Sequence, residues 1–375
     1  MTPLRMMCLV ASLVALTLTL AAPTATAETV IVDPGGGGDY DNIPEAVFHA
    51  DAEDTVLVMP GVYAVEAGGT YPWPIPLDAE TPTIVSSAGA AATVLQGNDT
   101  VDHFSIAEDV TDARLSVHGF TFEGTNYIIQ RHYTAYPGGP VRFTDNVVVA
   151  TDATRGRLVV GRGSGGLVAR STFTANCVQC TTMTAISVGS DGGPGSPIED
   201  NEISGYYFGI VGSGENVVIR RNHIHDCVFQ GIYAGAHLAA SDNIIENNGA
   251  YGITLQGAYY LEGNIIRGHD TGIAWPWATI TGPLEGHAHL NDIYDNEINI
   301  KARQVTYPVE FDATMNWWGT SDPEEIAARI YDCNDPSWGG EGCVTFTPWC
   351  TAPIPGCDPT PAENASWGTI KAMYR

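Results

Sequence analysis

Four Asn-Ile marks recur at a constant interval in the middle of the chain. Asn201-Glu202-Ile203, Asn222-His223-Ile224, Asn243-Ile244-Ile245 and Asn264-Ile265-Ile266 each begin 21 residues after the last. A Gly-Ile pair follows each of them: Gly209-Ile210, Gly231-Ile232, Gly252-Ile253 and Gly272-Ile273. Self-similarity in the low twenties with short apolar patches is the signature of a stacked solenoid, whose repeats bury their apolar faces against one another. In each coil the Ile is expected to point inward from a short strand. The Asn is expected at a turn, bonding along the stack and tolerating left-handed backbone. The Gly is expected to let the chain bend into the next strand. Coils would lie about 4.8 Å apart. Earlier coils are less regular: Asn146-Val147-Val148, then Thr172-Phe173, with Ala185-Ile186 in the Gly-Ile place. From Asn264 to Asn291 the spacing is 27, so the residues around Trp275-Pro276-Trp277 are expected to bulge as a loop.

Both ends carry different patterns. Residues 29–32 (TVIV) read as a strand, and Asn42 with Glu45 three later reads as a capping box. Ile43, Ala46, Val47 and Ala50 then follow helical spacing. Thr55 to Tyr63 forms a strand closed by Pro60-Gly61. A helix here covers the open end of the core, which would otherwise present apolar surface and an unpaired sheet edge. At the other end the aromatics of Asn316-Trp317-Trp318-Gly319 are expected to plug the core. Asp322-Pro323-Glu324-Glu325 starts a short helix with Ile326 and Ile330 on one face, and Val344 to Trp349 follows as a strand.

The opening GGDYDNIPEAVFHADAEDTVLVMPGVY resembles the N-terminal cap of right-handed parallel β-helix proteins of the pectate-lyase-like superfamily, and the Asn-x-Ile and Gly-Ile repeats are similar to their repeats. The Asn-Trp-Trp-Gly and Phe-x-Pro-Trp arrangement looks like their terminal segment. Together these stretches span roughly residues 29–320. The resemblance implies an all-β fold: a single-stranded right-handed parallel β-helix with an N-terminal capping helix and a C-terminal cap of short helix plus strand. The superfamily hosts lyases, hydrolases, esterases, epimerases and non-enzymes, so the fold does not choose an activity.

The expected organisation is a signal peptide over 1–27, a strand and capping helix over 28–65, coils over 66–315, a C-terminal cap over 316–350 and a Pro-rich linker and tail over 351–375. The leader is read from Arg5, the apolar run Leu9 to Ala22 and the small-x-small site Ala25-Thr26-Ala27. No later stretch approaches the roughly 18 unbroken apolar residues of a membrane span. A secreted or cell-surface monomer is therefore expected. Its formal charge is −27, and losing the leader, whose single charge is Arg5, makes it one unit more negative. Such a surface repels nucleic acid and anionic membranes. It repels acidic polysaccharides too, unless a cation such as Ca²⁺ bridges them. A solubilising coat accounts for the charge equally well. Seven cysteines lie beyond the leader. Cys177 and Cys180 are spaced for a local bridge, which leaves Cys227 odd. Cys333, Cys343, Cys350 and Cys357 crowd into one segment and suit two short bridges of unspecified connectivity.

A solenoid can be read vertically. Asp145, Arg170, Asp200, Arg221 and Asp242 form a column of alternating sign, which would fix register. Ser204, His225, Glu246 and Arg267 form another, with Asp226 and Asp270 close by and His269 beside Asp270. In this second column His225 would move a proton, Glu246 would partner it and Arg267 would neutralise a uronate carboxylate. The carboxylates would alternatively gather Ca²⁺, and a merely polar turn face is the plain alternative. The aromatics Tyr206, Tyr207, Phe229, Tyr233, Tyr251, Tyr259, Tyr260, Trp275 and Trp277 crowd the same coils and suit stacking against sugar rings. Of these, Tyr233, Tyr251, Tyr259, Trp275 and Trp277 are the candidate substrate contacts. His287 and His289 would share a strand face, a metal-compatible arrangement.

The polygalacturonase acid pattern is missing, since Gly268-His269-Asp270 departs from Gly-His-Gly. So are the pectinesterase Gln-Asp pair with its Arg and a basic lyase pattern. Two readings follow. One is a non-catalytic surface, structural or carbohydrate-binding protein. The other is a lyase or glycoside hydrolase acting on extracellular polysaccharide along a groove on the coil wall, with Glu246 and either Asp226 or Asp270 as opposed carboxylates, or His225 or Arg267 as the lyase base.

Overall fold

The computed structural model describes residues 26–357, apart from 107–109, 132–138, 152–155, 161–165, 190–196, 276–284, 303–308, 336–341 and the isolated positions 67, 69, 99, 111, 125, 178, 179, 214, 215 and 236. The leader up to Ala25, the tail beyond Cys357 and the bulge at Pro276-Trp277 lie outside the described residues.

The chain winds into coils that each add one strand to three parallel sheets. In one coil Val217–Arg220 joins the first sheet, His223–His225 the second and Gln230–Ala234 the third; Leu238–Ser241 then re-enters the first sheet one coil on. Among the described residues the first sheet has 13 strands, from Thr29–Val32 to Gly342–Thr345. The second has 10, from Gly61–Ala64 to Asp292–Tyr294. The third has 8, from Leu158–Val160 to Ile330–Tyr331, and a 3-stranded sheet precedes it. The register stacks like on like. Phe173, Ile203, Ile224, Ile245, Ile266 and Ile293 align down the second sheet. Ile186, Ile210, Ile232, Ile253, Ile273, Ile300 and Ile330 align down the third. All are buried, so two continuous columns, isoleucine apart from Phe173, face the buried residues of the first sheet, such as Ile219 and Leu261, across the core.

Between the first and second sheets runs a column of buried amides: Asn201, Asn222, Asn243, Asn264, Asn291 and Asn316. Asn243 shows how it works. Its Oδ1 accepts from the backbone N–H of Asn222 (2.9 Å) and from Asn222 Nδ2 (3.0 Å). Its Nδ2 donates to Asn264 Oδ1 (2.9 Å) and to the Ile219 carbonyl (3.0 Å). Every coil repeats these bonds down to Asn316. Ser171 and Asn146 continue the series towards the N-terminus, where the Phe120 N–H donates to Asn146 Oδ1. The amide is the one uncharged side chain that both accepts two bonds and donates two, which is why Asn holds the place.

The left-handed residue at this turn is not the Asn, as expected from sequence, but the one before it. Asp145, Arg170, Asp200, Arg221 and Asp242 have φ between 49° and 59°. Their side chains are thereby thrown outward, and the alternating column closes as two pairs rather than a continuous run. Arg170 bonds Asp145 (2.7 Å) and Arg221 bonds Asp200 (2.8 Å), each reaching one coil back. With side chains some 41–56% exposed, both pairs are screened by water and add little to stability. The Gly-Ile glycines also have another reason than the one expected. None has a positive φ. A Cβ at Gly209 would lie 2.6 Å from the Gly231 carbonyl oxygen and 2.8 Å from Ile224 Cγ2, so the column is glycine because the coils are too close for a side chain there.

A seven-residue helix, Ile43–His49, packs on the first strands. Asn42 accepts from the Glu45 N–H (2.9 Å) while its Nδ2 donates to Glu45 Oε2 (2.9 Å), and Ile43, Ala46 and Val47 are buried. At the far end Trp318 and Phe346 are buried in contact with each other. The second helix, Pro323–Ala328, is capped by Asp322 and buries Ile326. Ile330 is not on its face: Arg329 ends the helix and Ile330 stacks on Ile300 as a strand. Among the described residues the last strand is Gly342–Thr345, shorter and earlier than Val344 to Trp349. Disulfides join Cys177 to Cys180, Cys333 to Cys343 and Cys350 to Cys357. Cys227 is free and buried, its thiol pushed up to about 12 by burial, so it is inert.

Two outcomes follow from this packing. Asn243→Ala orphans the buried Asn222 N–H, at about 1–3 kcal/mol, and takes one acceptor from Asn222 Nδ2, which keeps the Ile198 carbonyl. It should therefore lower the urea midpoint strongly, whereas Arg221→Ala, at an exposed and screened pair, should barely move it; equal losses would mean that the amide column is not what holds the coils. The second concerns His103, which is buried between Trp73 and Phe122 with its pKa lowered to about 3 by burial. Between that value and the usual 6.5 the unfolded chain binds a proton that the folded chain does not, so stability falls as pH falls through this window. His103→Leu should flatten that acid limb by up to about 1.4 kcal/mol per pH unit, measured by urea unfolding at stepped pH.

Candidate functional site

The outer face of the second sheet carries the densest set of titratable groups. Strand period 2 turns Ile224 inward and leaves His223 and His225 side by side outside. Register places Glu202 beside His223 and Ser204 beside His225 from the coil before, and Ile244 and Glu246 from the coil after. Arg267 and Tyr294 continue the column of His225 and Glu246.

The side chains are joined. His225 Nδ1 bonds Asp226 Oδ2 (2.7 Å), and its Nε2 bonds Glu202 Oε1 (2.7 Å). His223 Nδ1 reaches Glu202 Oε2 (3.2 Å), and its Nε2 reaches Glu246 Oε1 (2.8 Å). The two rings stack with centroids 4.3 Å apart. Arg267 donates to Glu246 Oε2 through Nε (2.8 Å) and Nη2 (2.5 Å), and to the Tyr294 hydroxyl through Nη1 (2.9 Å). Burial disfavours the charged form of His225, but the bonds to Asp226 and Glu202 outweigh it and its pKa is raised. Hydrogen bonds from His223 and then Arg267 hold Glu246 below the usual carboxylate range.

Of the sequence-derived residues, His225, Asp226, Glu246 and Arg267 therefore share this face. Glu246 is partnered by His223, however, and not by His225. Asp270 stands apart, exposed in the turn that enters the third sheet. His269 is a buried member of a second bonding column, donating from Nε2 to the Ile245 carbonyl (3.1 Å), and takes no part in the face. Sequence reasoning missed Glu202 and His223. The signal was present: His-Ile-His with an inward Ile puts both imidazoles outside, and the 21-residue period puts Glu202 next to them. Among the described residues these three also form the group able to hold a metal ion, with one donor atom each, all within 4.8 Å. Two of the donors are imidazole nitrogens, unlike the all-oxygen set that Ca²⁺ takes.

The aromatics divide. Tyr259 and Trp275 are not outward: both are buried, packed on each other (5.2 Å) and on Phe311, and belong to the core. Trp277 lies outside the described residues. Tyr207, Phe229 and Tyr251 form a half-buried column at the entry to the third sheet. Tyr207 and Phe229 are stacked at 5.1 Å and 6°, and Phe229 meets Tyr251 edge-on at 5.6 Å. Tyr233 is half-exposed on the third sheet. His287 and His289 stack like the first pair, but they turn to carboxylates on opposite neighbouring coils, Glu262 and Asp312. A cleft of about 680 Å³ opens beside the capping helix, lined by Val47, Phe48, Tyr71, Pro74 and Ile75 among others; it shares no residue with the titratable face.

The family model for a right handed beta helix region matches residues 137–282. With the three-sheet stack, the chain is a right-handed parallel β-helix repeat protein. No curated protein sequence matches it. Among solved structures it is similar to the catalytic domain of a GH87 alpha-1,3-glucanase in complex with nigerose (12% identity, 87% of this chain, 69% of that chain, TM-score 0.43). A variant of that domain gives 11% identity, the same coverage and a TM-score of 0.44. ORF18 of Geobacillus virus E2 gives 13% identity, 87% and 62% coverage, and a TM-score of 0.30. None of these likenesses bears on activity.

Because Trp275 fills the core, Trp275→Ala should destabilise the fold by about 3–5 kcal/mol. Tyr233→Ala should cost far less. Urea unfolding followed by intrinsic fluorescence and circular dichroism separates the two; a neutral Trp275→Ala would show that the ring is not a core residue.

Proposed function

We propose that the protein is an exported, non-catalytic β-helix that binds extracellular polysaccharide along its coil wall. The observation that carries this reading is the aromatic column Tyr207, Phe229 and Tyr251. It repeats with the coils, Tyr207 stacked on Phe229 and Phe229 edge-on to Tyr251, and leaves half-buried aromatic surface against which sugar rings can pack. The neighbouring titratable face supports recognition over chemistry. Glycoside hydrolysis needs one carboxyl free to give a proton and another opposed to it. Here Glu246 is locked by Arg267 and His223, and Asp226 by His225, on an open sheet face. The three disulfides and the strongly acidic composition suit an exported protein. Among the described residues no helix is long and apolar enough to cross a membrane.

The test is a panel of neutral and acidic polysaccharides, with and without Ca²⁺, scored for retardation in affinity gels and for new reducing ends or unsaturated uronate. Binding without cleavage is expected. Phe229→Ala and Tyr251→Ala should each weaken it by about 0.5–1.5 kcal/mol, roughly twofold to tenfold. Cleavage that disappears in the His225→Ala, Glu246→Gln double variant would establish a lyase or hydrolase instead. Absence of both binding and cleavage would sink the polysaccharide reading.

A further inference from the structure

We propose that Glu202, His223 and His225 form a binding site for a divalent transition metal of the zinc type. Each of the three offers one donor atom, all within 4.8 Å of one another. The inner donors are His223 Nδ1 and His225 Nε2, which both face Glu202 from one strand. Two imidazoles and one carboxylate suit zinc and leave a coordination position open. That position points to solvent, since the Glu202 side chain is 45% exposed and those of His223 and His225 are 33% and 21% exposed.

The outer nitrogens carry the stronger argument. Metal-ligating imidazoles donate their second N–H to a carboxylate, which fixes the ring and raises its basicity. Both rings here do so: His223 Nε2 to Glu246 (2.8 Å) and His225 Nδ1 to Asp226 (2.7 Å). Glu246 is itself held by Arg267. The ligands stand on strands pinned by Ile203 and Ile224 in the core, so the donor spacing is rigid before any ion arrives. The ion binds the two inner nitrogens in their unprotonated form, and any proton displaced from them passes to solvent. His287 and His289 provide an internal contrast. They have the same spacing and stacking, but their carboxylates lie on opposite coils, so among the described residues no third donor converges with the pair.

The experiment uses tag-free protein stripped with a chelator, titrated calorimetrically with Zn²⁺ and followed by the visible spectrum with Co²⁺. One equivalent should bind, with the absorption of a four-coordinate nitrogen–oxygen Co²⁺ site, and excess Ca²⁺ should not compete. His223→Gln with His225→Gln should abolish binding. Asp226→Asn and Glu246→Gln should each weaken it about 10–100-fold, while His287→Gln with His289→Gln should leave it unchanged. Should the first double variant fail to fold, Glu202→Ala at the exposed rim carries the same test, with a loss of at least about tenfold expected. No Zn²⁺ binding by native protein, or binding that survives loss of His223 and His225 and vanishes with His287 and His289, overturns the proposal. Zn²⁺ binding without any polysaccharide affinity would support this site while refuting the functional reading above.

Discussion

The buried amide column is the constraint from which the rest of the molecule follows. A coil of a solenoid has no core of its own, and the turn between its first and second sheets would strand backbone N–H groups away from water. Asn201 through Asn316 remove that cost by giving each coil an acceptor for the backbone and side chain of the coil before. Because every amide points its Oδ1 the same way along the stack, the bonds polarise one another. A slip of one residue would take the amide out of the turn and the inward Ile out of the core together. The column therefore sets the register of all three sheets.

Register in turn decides what appears on the surface. Once Ile203, Ile224 and Ile245 are inward, their flanking residues are outward and vertically aligned to the coil spacing. Contacts between residues 21 apart become contacts between neighbours about 4.8 Å away. This is how Glu202, His223, His225, Glu246 and Arg267 come to share one bonded network without a loop or a cleft to hold them. The same geometry explains the closeness of the third-sheet turn, where Gly209 and its successors leave space for the carbonyl of the next coil and for no side chain.

Much of this could be read from the letters. The 21-residue period, the inward Ile columns, the capping box at Asn42 and the Ser204, His225, Glu246, Arg267 column follow from spacing alone. Details failed where a local rule met a packing constraint. Asn tolerates the left-handed backbone, yet the turn needs the amide inside, and the strained φ falls on Asp or Arg before it. Gly before Ile suggests a bend, yet it answers a close approach of the next coil. Tyr259 and Trp275 suit sugar stacking by residue type, yet alternation along their strands turns them into the core. Each strand of the second sheet has two outward positions, and Glu202 and His223 occupy the one outside the Ser204, His225, Glu246, Arg267 column.

By itself the sequence determined the architecture, since a short repeat with one inward apolar residue per strand can bury its apolar surface only by stacking on copies of itself. It also determined which residues lie one above another, because the period is the coil. Only the tertiary structure decided which partners those residues take. Whether His223 meets Glu246 or His225 does, and whether a histidine pair faces one carboxylate or two on opposite sides, depends on side-chain direction within the stack. Period constrains height along the solenoid axis, and direction around it is set by the packing of the neighbouring coils.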